Sequence, residues 1–208
     1  MPGKPGGAQG VSKLAADDQA KPEPEPDEAP DARWLDEAQA RTWITFMQVQ
    51  LRLSYEMNRQ LLSDSRLQLG DYHVLSALSA APQGRLQVSA LATYVGWERS
   101  RMSHHAERMA RRGLVERVPS PSDRRATDIR LTDRGWDAIT RAAPGHVALV
   151  RRLVFDGLPA ELAAGFQAAL DAIYQTLITD GTLAAPPPPG VSARPAKPPA
   201  SPGRGGPR

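Results

Sequence analysis

Arginine is concentrated in one short stretch of this chain, and arginine is the residue type best suited to contacts with nucleic acid. Residues 98–134 contain ten arginines and no lysine, against six acidic residues. A planar guanidinium group donates two parallel hydrogen bonds to a phosphate or to a guanine edge, whereas a lysine ammonium group acts as a point charge. On charge alone, an ordinary solvated helix face is an equally good interpretation. The surrounding sequence has to decide between the two.

The arginines lie in the outline of a helix-turn-helix. Residues 88–95 have the apolar spacing of a short helix, a Gly-Trp pair interrupts it, and a second helix is predicted over residues 98–112. Gly113 is placed to end this second helix in the left-handed conformation. A short helix, a tight turn and a second helix with a polar face are typical of a helix-turn-helix, although the outline by itself is only moderately specific.

A basic hairpin follows the second helix. Residues 114–118 and 126–131 have the composition and alternation of strands, and the turn between them, 119–125, contains proline, serine, aspartate and arginine. Leu86 is predicted to lie in a further, very short strand. Two helices followed by a hairpin with a basic tip predict a winged helix over residues 71–132. The expected fold class is therefore mostly α with a small β-wing.

Helices flank the winged helix on both sides. Residues 33–62 read as one long helix that is too apolar for a small core alone, and Asp71 is a plausible N-cap for the next helix. Residues 133–180 follow a Thr132 cap, with a kink or break at Pro144-Gly145 and Pro159 at the first position of a last helix. Burial of the long helix against a second subunit is the preferred interpretation, and a long core helix in a monomer is the alternative.

Composition limits the other possibilities. Residues 1–31 and 184–208 contain too few apolar side chains to order themselves and are predicted to be disordered tails, which leaves one domain over residues 32–183. The chain contains no cysteine, no apolar run of 18 residues and no apolar leader, so a cytoplasmic protein without a membrane segment is expected. No phosphate-binding glycine loop, metal-ligand spacing or nucleophile motif is present, so we expect neither an enzyme nor a cofactor.

The segment over residues 100–135 resembles the multiple-antibiotic-resistance-regulator (MarR) family. The resemblance rests on RRGLVER at 111–117 and DRRATDIRLTDRG at 123–135, and the order of helices agrees with it over about residues 34–180. It implies a homodimer whose first and last helices interlock, and which binds pseudo-palindromic double-stranded operators, usually as a repressor. It also implies release of DNA when a small aromatic or phenolic molecule binds.

The predicted DNA-binding residues fall into two groups. The second helix of the helix-turn-helix is expected to enter the major groove, where its side chains meet bases and phosphates; its candidates are Ser100, Arg101, Ser103, His104, His105 and Arg108. In the wing, the resemblance implies that Arg125 enters the minor groove, that Asp123 orients it and that Arg124 contacts a phosphate. A local ion pair that only stabilises the turn is the alternative. A metal site at His104-His105 is disfavoured, because adjacent helix positions point about 100° apart and no cysteine is available.

An effector pocket is expected near the first two helices. Its candidate residues are Trp43, Met47, Tyr72 and Leu75, and for each of them a place in the ordinary core is an equally good interpretation. A winged helix used only for protein–protein contact remains the alternative function. That alternative predicts weak DNA binding that salt does not change, whereas binding through arginines should weaken steeply as salt rises.

Overall fold

A computed structural model describes residues 33–121, 123 and 125–186 of the protein. The predicted tails, 1–31 and 184–208, therefore lie outside the described residues except for residues 184–186, and the predicted domain limits stay a prediction. The chain divides into two compact units, Met1–Ile44 and Thr45–Arg208. In the first unit Asp36 and Gln39 form a reciprocal cap, in which each backbone N–H donates to the other residue's side chain. This cap explains why the first helix begins at Glu37 and not at residue 33.

Helices dominate the described part of the chain. They are α1 (Glu37–Ser65), α2 (Leu69–Ala80), α3 (Val88–Val95), α4 (Arg99–Arg111), α5 (Asp133–Val150) and α6 (Ala160–Asp180). The strands are β1 (Arg85–Gln87), β2 (Val115–Pro119) and β3 (Thr127–Leu131). This order confirms the predicted class, mostly α with a small β-wing. None of the helices in the described part is long and apolar enough to cross a membrane.

The three strands form one antiparallel sheet in the order β1-β3-β2. Leu86 and Arg117 both pair with Ile129, so β3 lies in the middle and the predicted short strand at Leu86 is confirmed. The β2–β3 hairpin is the wing. Beyond β2 the hairpin continues to Ser120, whose N–H donates to the carbonyl of Ala126 at 3.1 Å.

The core of the second unit lies between α2, α3, α4, α5 and the sheet. Side chains from all of these elements are excluded from water, among them Leu75, Leu78, Leu91, Met102, Met109, Ile129 and Ile139. On α4 the buried positions Met102, Ala106 and Met109 are separated by four and three residues, which is the spacing of one helix face. Their burial turns the opposite face of α4 toward solvent.

Several local predictions about helix ends are confirmed. Gly113 has a φ of +72°, the left-handed conformation expected after α4. Thr132 caps α5, since its Oγ1 accepts the N–H of Gly135 at 3.0 Å.

Other predictions about helix ends were wrong. Asp71 is not an N-cap, because α2 begins at Leu69, two residues before it. The cap is Gln68, whose N–H donates to the side chain of Asp71 in the third helical position. No break occurs at Pro144, since α5 continues to Val150, and the alternative of a kink stays a prediction. Thr140 and Pro144 are both exposed, so water can satisfy the carbonyl that the proline leaves without a donor. Pro159 lies one position earlier than expected and is itself the cap of α6.

Candidate nucleic-acid interface

The solvent-facing side of α4 carries most of the predicted DNA-binding residues. Arg101, His104 and Arg108 are exposed and separated by three and four residues, so they share one face of the helix. Ser100 is exposed at the start of α4, and Ser103 is half-buried. The structure therefore brings these five residues together on one surface, with Ser100 and Arg101 in the first helical turn.

Arg101 lies over an aromatic ring that the sequence reading had treated only as part of a helix break. Its guanidinium carbon is 4.3 Å from the centroid of the Trp97 ring, which is a cation–π geometry. Trp97 in turn meets the ring of His105 edge to face, with centroids 5.0 Å apart. This stacking restricts the rotamers of Arg101 before any ligand binds. The sequence signal that could have predicted this stacking is an aromatic residue four positions before an arginine at the start of a helix.

His105 does not belong to the exposed surface, and its predicted contact with DNA has to be corrected. The side chain is only 5% exposed, because position 105 lies on the inward side of α4 between Met102 and Met109. Its Nδ1 lies 2.9 Å from a nitrogen of Arg108, and its Nε2 lies 3.1 Å from Oδ1 of Asp71. A guanidinium group can only donate, so Nδ1 accepts and the ring proton is on Nε2, facing Asp71. His105 positions α4 and does not reach a base.

Asp71 is a buried carboxylate that joins α2 to α4. It accepts hydrogen bonds from the guanidinium of Arg112 and from the backbone N–H of Gln68, and Nε2 of His105 lies close to its other oxygen. Burial raises the pKa of Asp71, but His105, Arg112 and the N–H of Gln68 outweigh it and lower the pKa from 3.8 to about 2. The carboxylate is therefore charged at neutral pH. Arg112 is therefore paired within the fold.

Not all arginines of the basic stretch are available to a ligand. Arg130 is paired with Glu116 across the wing, with its Nε 2.9 Å from the carboxylate, and Arg112 is paired with Asp71. Just outside the stretch, Arg85 on β1 pairs with the buried Asp128 on β3 at 2.9 Å. These pairs hold the sheet and α4 in place. The count of arginines in the sequence therefore overstated the charge that faces outward.

The tip of the wing is organised by Asp123. Its Oδ1 accepts the backbone N–H of Arg125 at 2.9 Å, and its carbonyl accepts the N–H of Ala126 at 2.9 Å. Asp123 therefore shapes the turn through the backbone. The side chain of Arg125 is exposed and, within the described part of the chain, has no carboxylate partner. Arg124, the predicted phosphate contact, lies outside the described residues.

The four candidates for an effector pocket lie in different surroundings. Leu75 is completely buried in the core and Trp43 belongs to the first unit, where it is half exposed; Met47 is half-buried. Tyr72 does border a cavity of about 250 Å³, whose other lining residues are His73, Ser76, Tyr94 and Val95. Burial lowers the pKa of His73 and of His146, and in His146 the nearby His73 lowers it further. The cavity is therefore lined by two tyrosine rings and an imidazole, with one serine hydroxyl and one valine.

Comparison with known proteins agrees with this surface. Residues 67–126 match the model of the MarR family. Sco3205 of Streptomyces coelicolor, a MarR family transcriptional regulator solved in complex with DNA, is 32% identical, with 76% of this chain and 99% of that chain covered and a TM-score of 0.69. The chain belongs to the MarR family. AbsC of the same organism, another MarR family regulator, is 34% identical over 70% of this chain and 97% of its own, with a TM-score of 0.66.

A third solved structure has the same fold at lower identity. CouR of Rhodococcus jostii RHA1, bound to p-coumaroyl-CoA, is 24% identical over 64% of this MarR-family chain and 90% of its own, with a TM-score of 0.57. No match was found among the curated proteins. The family resemblance read from residues 100–135 is confirmed, and the protein is a DNA-binding transcriptional regulator. Nothing in the family assignment points to catalysis.

Proposed function

We propose that this MarR-family regulator represses transcription by binding a pseudo-palindromic operator as a homodimer, and that a small aromatic molecule releases it. The observation that carries the proposal is the exposed face of α4, on which Arg101 is stacked against Trp97 while the opposite face is buried. A helix of this kind fits the major groove, and the residues at its N-terminal end reach base edges. The relative Sco3205, solved with DNA, supports this assignment.

Within α4 the candidate residues have different roles in the proposal. Ser100, Arg101 and His104 lie in the N-terminal half and face bases, with Arg101 placed to hold a guanine through two hydrogen bonds. Ser103 lies at the border of the buried face, and Arg108 is partly engaged by His105. We assign these last two to the sugar-phosphate backbone. Backbone contacts set the register of a protein on DNA without reading sequence.

The wing is the second contact in the proposal, and its main residue is Arg125. Replacing Arg125 with alanine is expected to weaken operator binding about tenfold or more per half-site, on the order of 1.4 kcal/mol, because a guanidinium group is favoured by the strong negative potential of a narrow minor groove. The measurement is a binding titration at fixed salt. Thermal stability and the dimer should stay unchanged, since the side chain is exposed. An unchanged operator affinity would show that the wing does not contact the minor groove.

The homodimer is supported by apolar surface that the described residues leave uncovered. Helix α6 contains no buried residue, and its exposed side chains recur at four- and three-residue spacing along one stripe: Leu162, Phe166, Leu170, Ile173 and Leu177. In the second unit, α1 exposes further apolar side chains, namely Val49, Leu51, Tyr55 and Leu62. Burial of one such side chain contributes roughly 1.5–3 kcal/mol. If α1 and α6 of one copy pack against α1 and α6 of a second copy, the apolar surfaces of both helices become buried. Dimerisation is typical of the family.

The effector site in the proposal is the cavity beside Tyr72. Tyr72 follows Asp71 directly on α2, and Tyr94 and Val95 are the last residues of α3, next to the turn that carries Trp97. A ligand that fits the cavity better when α2 and α3 move apart would displace both supports of α4. Such a ligand lowers operator affinity only through its different affinity for the two arrangements.

Small aromatic and phenolic acids test the effector proposal directly. An active compound is expected to raise the melting temperature of the free protein and to lower its operator affinity. By linkage, DNA must lower the affinity for the compound by the same factor. A binding titration with and without operator measures both numbers. If no compound in a broad panel changes either quantity, another trigger controls the protein or none does.

A further inference from the structure

A small polar pocket lies between α4 and the strands of the wing, and we propose that it binds one phosphate of the operator backbone. Its lining comes from three places: Gln87 to Ser89 at the start of α3, Arg99 and Ser103 on α4, and the strands β2 and β3 through Arg117, Ala126 and Thr127. The volume is about 70 Å³, which is enough for several waters or a phosphate group and too small for an inserted side chain with its partners. This inference rests on the proposed function.

The charges around the pocket favour an anion. Arg99 and Arg117 come from different elements, and within the described part of the chain neither guanidinium group has a carboxylate within 4.0 Å. Arg117 is oriented by a neutral partner, because its Nη1 lies 3.3 Å from Oγ of Ser103. The neighbouring arginines on β1 and β3 are both matched with carboxylates. Two unmatched positive charges that line one small cavity repel each other unless an anion lies between them.

Backbone donors add to the same preference. The side chain of Gln87 does not cap α3; its amide nitrogen is 3.3 Å from Oγ of Ser120. Val88 and Ser89, the first two residues of α3, line the pocket, and the start of α3 has no side-chain cap. Uncapped N–H groups at a helix start favour negative charge, and here they add to two guanidinium groups and two serine hydroxyls.

The position of the pocket identifies the anion as part of DNA. If α4 occupies the major groove and the wing tip the adjacent minor groove, the sugar-phosphate strand that separates the two grooves must cross between them. The pocket is lined by α4 on one side and by β2 and β3 on the other, so this strand passes over it. Arg99 and Arg117 then hold the phosphate from both sides. This contact fixes the spacing between helix and wing on the duplex and carries no sequence information.

Neutral phosphate analogues test the pocket. In a selected operator, each phosphate near one half-site is replaced in turn with a methylphosphonate, and affinity is measured for the wild type and for Arg99→Gln, Arg117→Gln and the double variant. A methylphosphonate at one position should lower the operator affinity of the wild type and leave that of the double variant unchanged. At the other contacted phosphates, the substitution should lower the affinity of both proteins. The slope of log K against log salt should fall by about 0.9 per lost contact. Arg141→Gln, an exposed arginine on α5, is the matched control.

The possible outcomes separate this inference from the function itself. A melting curve for each variant checks that it folds. If the double variant does not fold, either single variant replaces it in the comparison. If the wild type binds no operator, the proposed function fails. If it binds and the double variant keeps the full methylphosphonate pattern and salt slope, only the pocket assignment is overturned. If inorganic phosphate raises the melting temperature of the wild type more than that of the double variant at equal ionic strength, while the two proteins show the same methylphosphonate pattern, the pocket takes a free anion and the DNA assignment is overturned.

Discussion

Replacing Arg101 with alanine is expected to lower operator affinity by about 1–3 kcal/mol per half-site, the range for one bidentate contact to a guanine. Since a dimer makes the contact twice, the combined loss should approach twice that value. The same change should remove the preference for one base in each half-site when the selection is repeated with the variant protein. An anisotropy titration at fixed salt measures the first effect, and sequencing of the selected DNA measures the second.

Variants of Trp97 separate the charge of Arg101 from its placement. Trp97→Phe keeps an aromatic face under the guanidinium group and should retain most of the affinity, whereas Trp97→Leu keeps bulk without a ring face and should lose affinity and base preference together. Melting temperatures of the two variants must agree for the comparison to hold. An Arg101→Ala protein that selects the same DNA with the same affinity would show that this residue reads no base.

Replacing Asp71 with alanine is expected to destabilise the protein by about 2–3 kcal/mol at pH 7. Removal of one partner of a buried ion pair strands the other, at about 3–5 kcal/mol, and the value is lower here because Arg112 is 43% exposed and can be hydrated. His105 remains buried without its partner. Urea unfolding measures the free energy of unfolding. The matched control is Asp71→Asn, which can still accept the Gln68 N–H but carries no charge, and its loss should be smaller.

The pH dependence of stability provides a separate test of Asp71. Its pKa in the folded protein is about 2, below the usual 3.8, so the charged carboxylate stabilises the fold fully above pH 3.8. That stabilisation, about 2.5 kcal/mol, is lost as the pH falls through 2. The difference in unfolding free energy between the wild type and Asp71→Asn should therefore be constant near neutrality and shrink between about pH 4 and pH 2. Parallel curves across that range would contradict the proposed role.

The helix and wing that are proposed to read DNA could be predicted from the sequence because their signals are local. The three- and four-residue spacing of buried side chains on α4, the glycine with positive φ at position 113 and the Thr132 cap each depend on a few neighbouring residues. The bounds of α4 were accordingly predicted to within one residue. The family resemblance extended this local evidence to the order of all the elements.

The support behind the interface could not be predicted, because it joins residues far apart in the chain. Asp71 and His105 meet only after α2 packs on α4, so each was assigned a local role, as a cap and as a DNA contact. The pairing of Arg130 with Glu116 depends on the register of the hairpin. Whether Leu75 lines a pocket or fills the core depends on all the helices around it. The spacing of apolar residues within one helix does not show how the other helices pack.

The central claim is that this protein binds a specific paired DNA sequence through α4 and the wing. In vitro selection of bound duplexes from a random pool, with the purified full chain, tests it most directly. The expected result is enrichment of two inverted half-sites whose centres lie about 10–10.5 base pairs apart, or a multiple of that spacing, since dimeric helix-turn-helix proteins meet the same face of the duplex twice. A pool that stays random after repeated rounds, or one that converges on a single unpaired half-site, would contradict it.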